Sequence, residues 1–254
     1  MKMRKIKIIV GSLLLVSSIG LTSCLDLSED ENPSDTSSDI NKPNNNSKND
    51  VTKKEDKYEV LNADYTIWTN SIGQRLIKFS IPVKNTGETD LHLRSMTCDI
   101  ESKDGKLLQT VSYITGYPSF IKPGETGYYY DSTSCDFTDD EVNIIPHANV
   151  EHASVKMIRY DVSDVSILED DFWDFKIIGR VSNNTDEDGS LVKVAINLFD
   201  INDKLICTEY TFLDDDLKSG DRVGFTINSI SNGNIKISDI SKYEAYSYPS
   251  QINW

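Results

Sequence analysis

The sequence predicts an all-β protein in which two β-sandwich domains follow one another behind a leader and a tether. Three observations carry that expectation. Apolar and polar residues alternate at period two over short runs, as in 76–83, where Ile77, Phe79, Ile81 and Val83 share one side, and in 192–198, where Val192, Val194, Ile196 and Leu198 do. Turn pairs punctuate those runs (Asp104-Gly105, Pro123-Gly124, Asp188-Gly189 and Asn232-Gly233), and no window carries an apolar stripe at helical spacing. The third observation is a repeat: sliding the chain by 98 positions sets Val83-Lys84-Asn85 on Val181-Ser182-Asn183.

Residues 1–23 come first. Lys2, Arg4, Lys5 and Lys7 form a basic head, the apolar run 8–21 follows, and Leu21-Thr22-Ser23-Cys24 closes it, which is the layout of a secretory signal peptide. The run spans about 14 residues, broken by Gly11, Ser12, Ser17 and Ser18, against the about 20 that a membrane-crossing helix needs. Those last four residues resemble the lipobox of bacterial lipoproteins. The resemblance implies cleavage between Ser23 and Cys24, a diacylglycerol on the Cys24 thiol, and a location on the extracytoplasmic face of the cell membrane. Each buried CH₂ contributes about 0.8 kcal/mol, so two acyl chains hold a protein where one does not.

Removal of the leader leaves 22 basic against 41 acidic side chains, a formal charge of −19. Such an excess repels DNA, RNA and anionic headgroups, which are recruited by Lys and Arg, so nucleic acid is excluded as a partner. Residues 24–56 contain no aromatic side chain and are dominated by Asp, Glu, Ser, Asn, Pro and Lys. That mixture buries too little apolar surface to offset its ordering entropy and predicts a disordered linker, with ends on the order of 30 Å apart.

From Tyr58 onward the repeat organises the chain. The 98-residue shift also sets Leu93 on Leu191, Met96 on Val194, Cys98 on Ile196 and Ile100 on Leu198, and Asp104-Gly105-Lys106 on Asn202-Asp203-Lys204. Two residues of slippage bring Pro123-Gly124-Glu125 onto Ser219-Gly220-Asp221. Two domains of about 100 residues fit the usual domain size. They are placed at 57–163 and 164–254, with the boundary between 160 and 166, and strands at this spacing predict tandem Ig-like sandwiches.

The second copy resembles the FxLYD domain, a small β-sandwich module of surface lipoproteins. The residues that carry the likeness are Gly179-Arg180-Val181-Ser182-Asn183, Ile196-Asn197-Leu198-Phe199-Asp200, Asn202-Asp203-Lys204-Leu205 and Ser219-Gly220-Asp221. Ile196 stands where the family has its first Phe, and Phe199 where it has Tyr. The first copy reads Cys98-Asp99-Ile100-Glu101-Ser102 there, so its likeness rests on the repeat and on Pro123-Gly124-Glu125. The resemblance implies a fold and a location and brings no chemistry with it.

Candidate sites are sparse. With Cys24 committed to the anchor, Cys98 and Cys135 either form one disulfide inside the first domain or stay as two thiols, and Cys207 reads as a small buried apolar residue. Asn184-Thr185-Asp186-Glu187-Asp188-Gly189 matches the opening of an EF-hand loop, which makes Asp186 and Asp188 weak calcium candidates. Ala195 stands where the bidentate Glu belongs, however, and the same residues suit a hairpin turn. His92, His147 and His152 lack zinc spacing, and neither a Gly-x-Ser-x-Gly elbow nor a Gly-rich phosphate loop is present. No cofactor is expected. Tyr128 and Tyr130, and Tyr246 and Tyr248, are candidate ligand-contact aromatics, with edge packing as the plainer use of their rings. Trp173 and Phe175 read as core.

These readings converge on a lipid-anchored, non-catalytic module that binds or scaffolds a protein or cell-envelope partner. A solute-binding component of a transporter, or an accessory of a cell-wall hydrolase, is the alternative expectation.

Overall fold

In the computed structural model, residues 56–155, 157–230 and 235–250 are described. The leader, Cys24, the linker through residue 55 and Trp254 lie outside the described residues. Asp56, assigned above to the linker, is already tied down: its carboxylate pairs with His152 at 3.0 Å and accepts the Thr89 hydroxyl.

Strands build nearly everything that is described, and the only helical element among those residues is one short 3-10 turn, Ile237–Asp239. The first half contains β1 (Tyr58–Val60), β2 (Asp64–Thr69), β3 (Arg75–Asn85), β4 (Leu91–Leu93), β5 (Met96–Ser102), β6 (Leu107–Ile114), β7 (Gly116–Tyr117), β8 (Phe120–Ile121), β9 (Thr126–Ser134), β10 (Val142–His147) and β11 (Val150–His152). One sheet runs β1-β3-β9-β7, with β2 also paired to β3, and the facing layer is β10-β5-β6, supplemented by the short sheet β11-β4-β8. The alternation along β3 decides what lies between them. Ile77, Phe79, Ile81 and Val83 point inward onto Cys98 and Ile100 of β5, Tyr129 of β9 and Val142 of β10, all buried. Each such side chain contributes about 1.5–3 kcal/mol on burial.

The second half contains β12 (Asp161–Leu168), β13 (Phe175–Ser182), β14 (Val192–Phe199), β15 (Leu205–Phe212), β16 (Arg222–Ser229) and β17 (Lys242–Pro249). Its layers are β12-β13-β16 and β15-β14-β17, around a separate core of Phe175, Ile177, Val192, Val194, Ile196, Leu198 and Cys207 with Phe225 and Ile227. β12 pairs with β13 from Asp161 onward, and Tyr160 is buried in this second core. The second sandwich therefore starts at the early end of the expected boundary, since a cut at 163/164 would split β12.

The repeat is structural. β3, β5, β6 and β9 recur as β13, β14, β15 and β16 with the same pairings, and the bounds of β15 are those of β6 moved by 98 residues without any slip. One buried asparagine per copy ties the turns together. Asn85 Nδ2 donates to Thr89 O (2.7 Å) and Ile121 O (3.1 Å); Asn183 Nδ2 donates to Glu187 O (2.8 Å) and Leu217 O (3.0 Å). Behind each sits a glycine at φ +82°, Gly124 or Gly220, whose N–H donates to the asparagine's own carbonyl. A side chain with a Cβ is strained in that left-handed conformation, which accounts for Gly at both positions.

The bridge considered between Cys98 and Cys135 is not made: Cys98, Cys135 and Cys207 are free thiols. Cys98 projects from β5 into the first core, whereas Cys135 follows β9 in the facing layer. Facing layers sit about 10 Å apart, beyond the about 7 Å between Cα atoms that a disulfide tolerates. Burial pushes the Cys98 thiol up to about 12, so it stays protonated.

The two sandwiches belong to one compact unit and meet across the outer faces of two sheets. From the first come Tyr117, Tyr128 and Tyr130; from the second come Asn197, Phe199 and Tyr210. Tyr128 meets Phe199 edge-on at 5.5 Å, Tyr117 stacks on Tyr210 at 5.5 Å, and Asn197 Nδ2 donates to Tyr117 O at 3.3 Å. Lys193 places its Nζ 5.4, 5.0 and 5.2 Å from the ring centres of Tyr117, Tyr210 and Phe212. Burial holds that ammonium below its ordinary pKa.

Candidate functional site

The four tyrosines named as contact candidates are committed to this interface. Tyr128 faces Phe199, and Tyr130 packs against the second core. Tyr246 lies beneath the Arg159 guanidinium at 5.3 Å, and Tyr248 is buried beside Ser119. They form no open platform, because the face that reads as exposed in one isolated sandwich is covered by the other. Trp173 is half-buried rather than wholly core, while Phe175 is fully buried.

The EF-hand-like string is a turn. Asn183 Oδ1 accepts from the Thr185 N–H at 3.0 Å, and Asp188 accepts the Ser219 N–H at 2.9 Å and pairs with Lys218 at 3.3 Å. Asp188 is thus occupied in joining two loops. Among the described residues no group of three His, Cys, Asp or Glu is placed to hold a metal ion, so Asp186 and Asp188 are not brought into a ligand set. The histidines are dispersed as well: His147 pairs with Asp99 at 2.8 Å, and His92 stacks on Phe120.

Two clefts open along the junction of the sandwiches. One, of about 310 Å³, is lined by Asp64, Lys78, Tyr130, Lys204 and Asp239 among others, and Lys204 bridges it to Asp64 at 2.8 Å. The other, of about 720 Å³, is walled by aromatic rings and is the better candidate for a contact site. Trp68, at the end of β2, forms one wall together with the turn 69–71. Phe172 and Trp173, in the connection between β12 and β13, form the opposite wall with Asp171, Asp174 and Ile230. Phe172 is 86% exposed. Phe172 and Trp173 stand edge to face, with ring centres 5.6 Å apart and planes at 61°.

Both walls are set by local hydrogen bonds. Asp170 Oδ1 accepts the N–H groups of Phe172 (2.9 Å) and Trp173 (3.3 Å), and its other oxygen pairs with Lys176 at 3.3 Å. Those bonds hold the Asp170 carboxyl below its ordinary pKa. Across the cleft, Asn70 Oδ1 accepts the N–H groups of Ile72 (3.2 Å) and Gln74 (2.9 Å), closing a tight hairpin with Gly73 at φ +81°. Phe172 and Trp173 are therefore presented on a braced loop and Trp68 on the strand that leads into a braced hairpin, which lowers the ordering cost of binding.

Beside the clefts, Glu209 is an acid that the sequence did not single out. It is half-buried, accepts the Ser229 hydroxyl, and lies near Asp174 and the Tyr130 hydroxyl. Burial pushes its carboxyl from 4.5 up to about 7, against the pull of Ser229 and with Asp174 adding repulsion. The folded state thus keeps a proton that the unfolded chain releases near 4.5. The stability contributed by the neutral acid is complete below about 4.5 and lost as pH rises through about 7. Glu209→Gln is expected to match the parent at pH 5 and exceed it at pH 8 by on the order of 1–3 kcal/mol. Urea midpoints at the two pH values check this, and an equal difference at both would contradict it.

No protein-family model matches the chain, and no curated protein matches it. The cleft residues Trp68 and Phe172 escaped the sequence reading because more than 100 residues separate them. Only the packing of two sandwiches brings them together.

Proposed function

We propose that this chain is a lipid-anchored extracytoplasmic lipoprotein that works without catalysis, as a binding or scaffolding module, and that it meets its protein or cell-envelope partner through the aromatic cleft. The observation that carries the reading is the exposed Phe172 on a braced loop, opposite Trp68 at the mouth of a 720 Å³ cleft. Exposed aromatic side chains on rigid supports are typical contact anchors. The leader 1–23, the lipidated Cys24 and the linker 24–56 supply the membrane attachment and the reach in this reading. The FxLYD likeness of the second copy agrees with such a setting, and the tandem sandwiches are Ig-like in this reading. The described residues are built of strands, whereas transporter solute-binding components usually consist of α/β lobes, so this reading is preferred to that alternative.

Crosslinking on whole cells, with a photoreactive residue at Ser71, tests both halves. Cys24→Ser is expected to shift the protein to the medium or leave it uncleaved. Phe172→Ala is expected to remain on the membrane and lose the crosslinked species. Mature-sized Cys24→Ser protein in the membrane fraction would refute the anchor. Undiminished crosslinks in Phe172→Ala would refute the contact site.

A further inference from the structure

Resting on the aromatic cleft as the contact site, we propose that a protein partner enters it as an extended, basic peptide segment that adds itself as a strand to the free edge of β2. Three observations point there. First, β2 lies at the rim of its sheet, and among the described residues it pairs with β3 and with no other strand. Two bonds set the phase of that pairing: Asn70 N–H donates to Gln74 O (2.9 Å) across the hairpin, and Cys135 N–H donates to Arg75 O (3.0 Å) on the far side of β3. Antiparallel residues bond at alternate positions, so Asp64, Thr66 and Trp68 turn their backbone groups to β3. The N–H and C=O groups of Tyr65, Ile67 and Thr69 then line the outer edge, and an extended polypeptide is the ligand that offers acceptors and donors at that repeat.

Second, this edge lacks the guards that the other long edges carry. β6 is broken by two register shifts and by Tyr113 at φ +63°, and β12 by a shift between Ser163 and Ser166. Proline interrupts β10 at 146 and β17 at 249, and β15 and β16 close on one another through Glu209 and the Ser229 hydroxyl. β2 keeps an unbroken register from Asp64 to Thr69, contains no Pro, Lys or Arg, and has its one charge, Asp64, paired with Lys204. Third, both clefts open along this strand. Asp64 and Thr66 line the smaller one, Trp68 and Thr69 the larger. Asp64 and Trp68 share a face and lie about 13 Å apart, so alternate side chains of an added strand reach both clefts. The formal charge of −15 repels a second copy of this chain and draws a basic segment, with the exposed Asp171 at the cleft adding to the pull.

Hydrogen exchange read residue by residue on the purified full chain in detergent tests this. In the free protein the amides of Tyr65, Ile67 and Thr69 are expected to exchange fast and those of Thr66 and Trp68 slowly. Slow exchange at all five would overturn the proposal, since the edge is then already filled; slow exchange that appears only at high protein concentration would overturn it in favour of a second copy. The probe is a short capped peptide of alternating threonine and valine with a lysine at each end. It should protect the three outer amides saturably, and its counterpart with glutamate ends should bind on the order of ten-fold more weakly, by a margin that salt erases. No protection, or equal binding of the two peptides, would overturn the proposal. Thr69→Pro removes one outer N–H and leaves the bonds to β3 in place, so it should lose far more affinity than Thr69→Ala, which measures the side chain alone. Equal losses would overturn the backbone pairing. Phe172-dependent crosslinks on cells that survive Thr69→Pro remove the added strand and keep the contact site. Peptide protection of β2 with undiminished crosslinks in Phe172→Ala does the opposite.

Discussion

Alanine at Asn183 is expected to lower stability by about 3–5 kcal/mol, because the side chain closes two turns from a fully buried position. Its Nδ2 satisfies the carbonyls of Glu187 and Leu217, and its Oδ1 accepts both the N–H and the hydroxyl of Thr185. Truncation removes all four bonds and leaves the Leu217 carbonyl buried without this donor, so the desolvation cost adds to the bonds lost. At about 2–4 °C per kcal/mol for a unit of this size, the melting temperature should fall by roughly 10 °C. Asn85→Ala in the first copy should behave alike, since Asn85 bonds Thr89, Ile121 and Gly87 in the same manner. Asn184→Ala is the control. That residue is exposed and holds only Asp161 among its described partners, so it should cost no more than about 0.5 kcal/mol. Calorimetry of the three variants decides the matter. An Asn183→Ala protein melting within two degrees of the parent would show that the turn does not depend on it.

Arg159→Ala should cost about 1–3 kcal/mol and loosen the two sandwiches from each other. The guanidinium makes a two-bond pair with Glu125 at 2.8 and 2.7 Å, donates to Phe120 O at 2.8 Å, and covers the Tyr246 ring. Glu125 lies in the first sandwich and Tyr246 in the second, so one side chain from the connecting segment touches both. The pair is half-buried, with side-chain exposures of 21% and 34%, and its Coulomb attraction is discounted for solvent accordingly. Burial alone would raise the Glu125 carboxyl, yet the Arg159 bonds carry it below its ordinary pKa. A double-mutant cycle with Glu125→Gln isolates the pair from the rest of the interface. The expected signature is a single thermal transition in the parent that broadens or splits in Arg159→Ala. A sharp, unshifted transition would mean that Tyr128, Phe199 and their neighbours suffice to join the halves.

Much of the architecture was legible because strand periodicity leaves a local record. Ile77, Phe79, Ile81 and Val83 announce one face of β3, and the 98-residue repeat announces that the same sheet is made twice. Buried Asn85 and Asn183 could be aligned from sequence, although what they hold could not be named. The opposite faces were another matter. Lys78, Ser80 and Pro82, or Lys193 and Asn197, alternate with apolar residues and so read as outward positions, yet Ser80 and Asn197 are buried. Asn197, for one, is met from 80 residues away through its bond to Tyr117 O, and no local alternation encodes a distant partner.

The sequence by itself determined that the described chain is all strand, that it is duplicated, and where each copy turns, because pleat alternation and the φ demands of Gly124 and Gly220 act over a few residues. Tertiary structure alone decided that the two copies lie face to face, that the four candidate tyrosines are spent in that contact, and that Trp68, Phe172 and Trp173 share a cleft. Those outcomes depend on which surfaces exclude water from one another, a property of the folded shape that no short stretch of chain possesses.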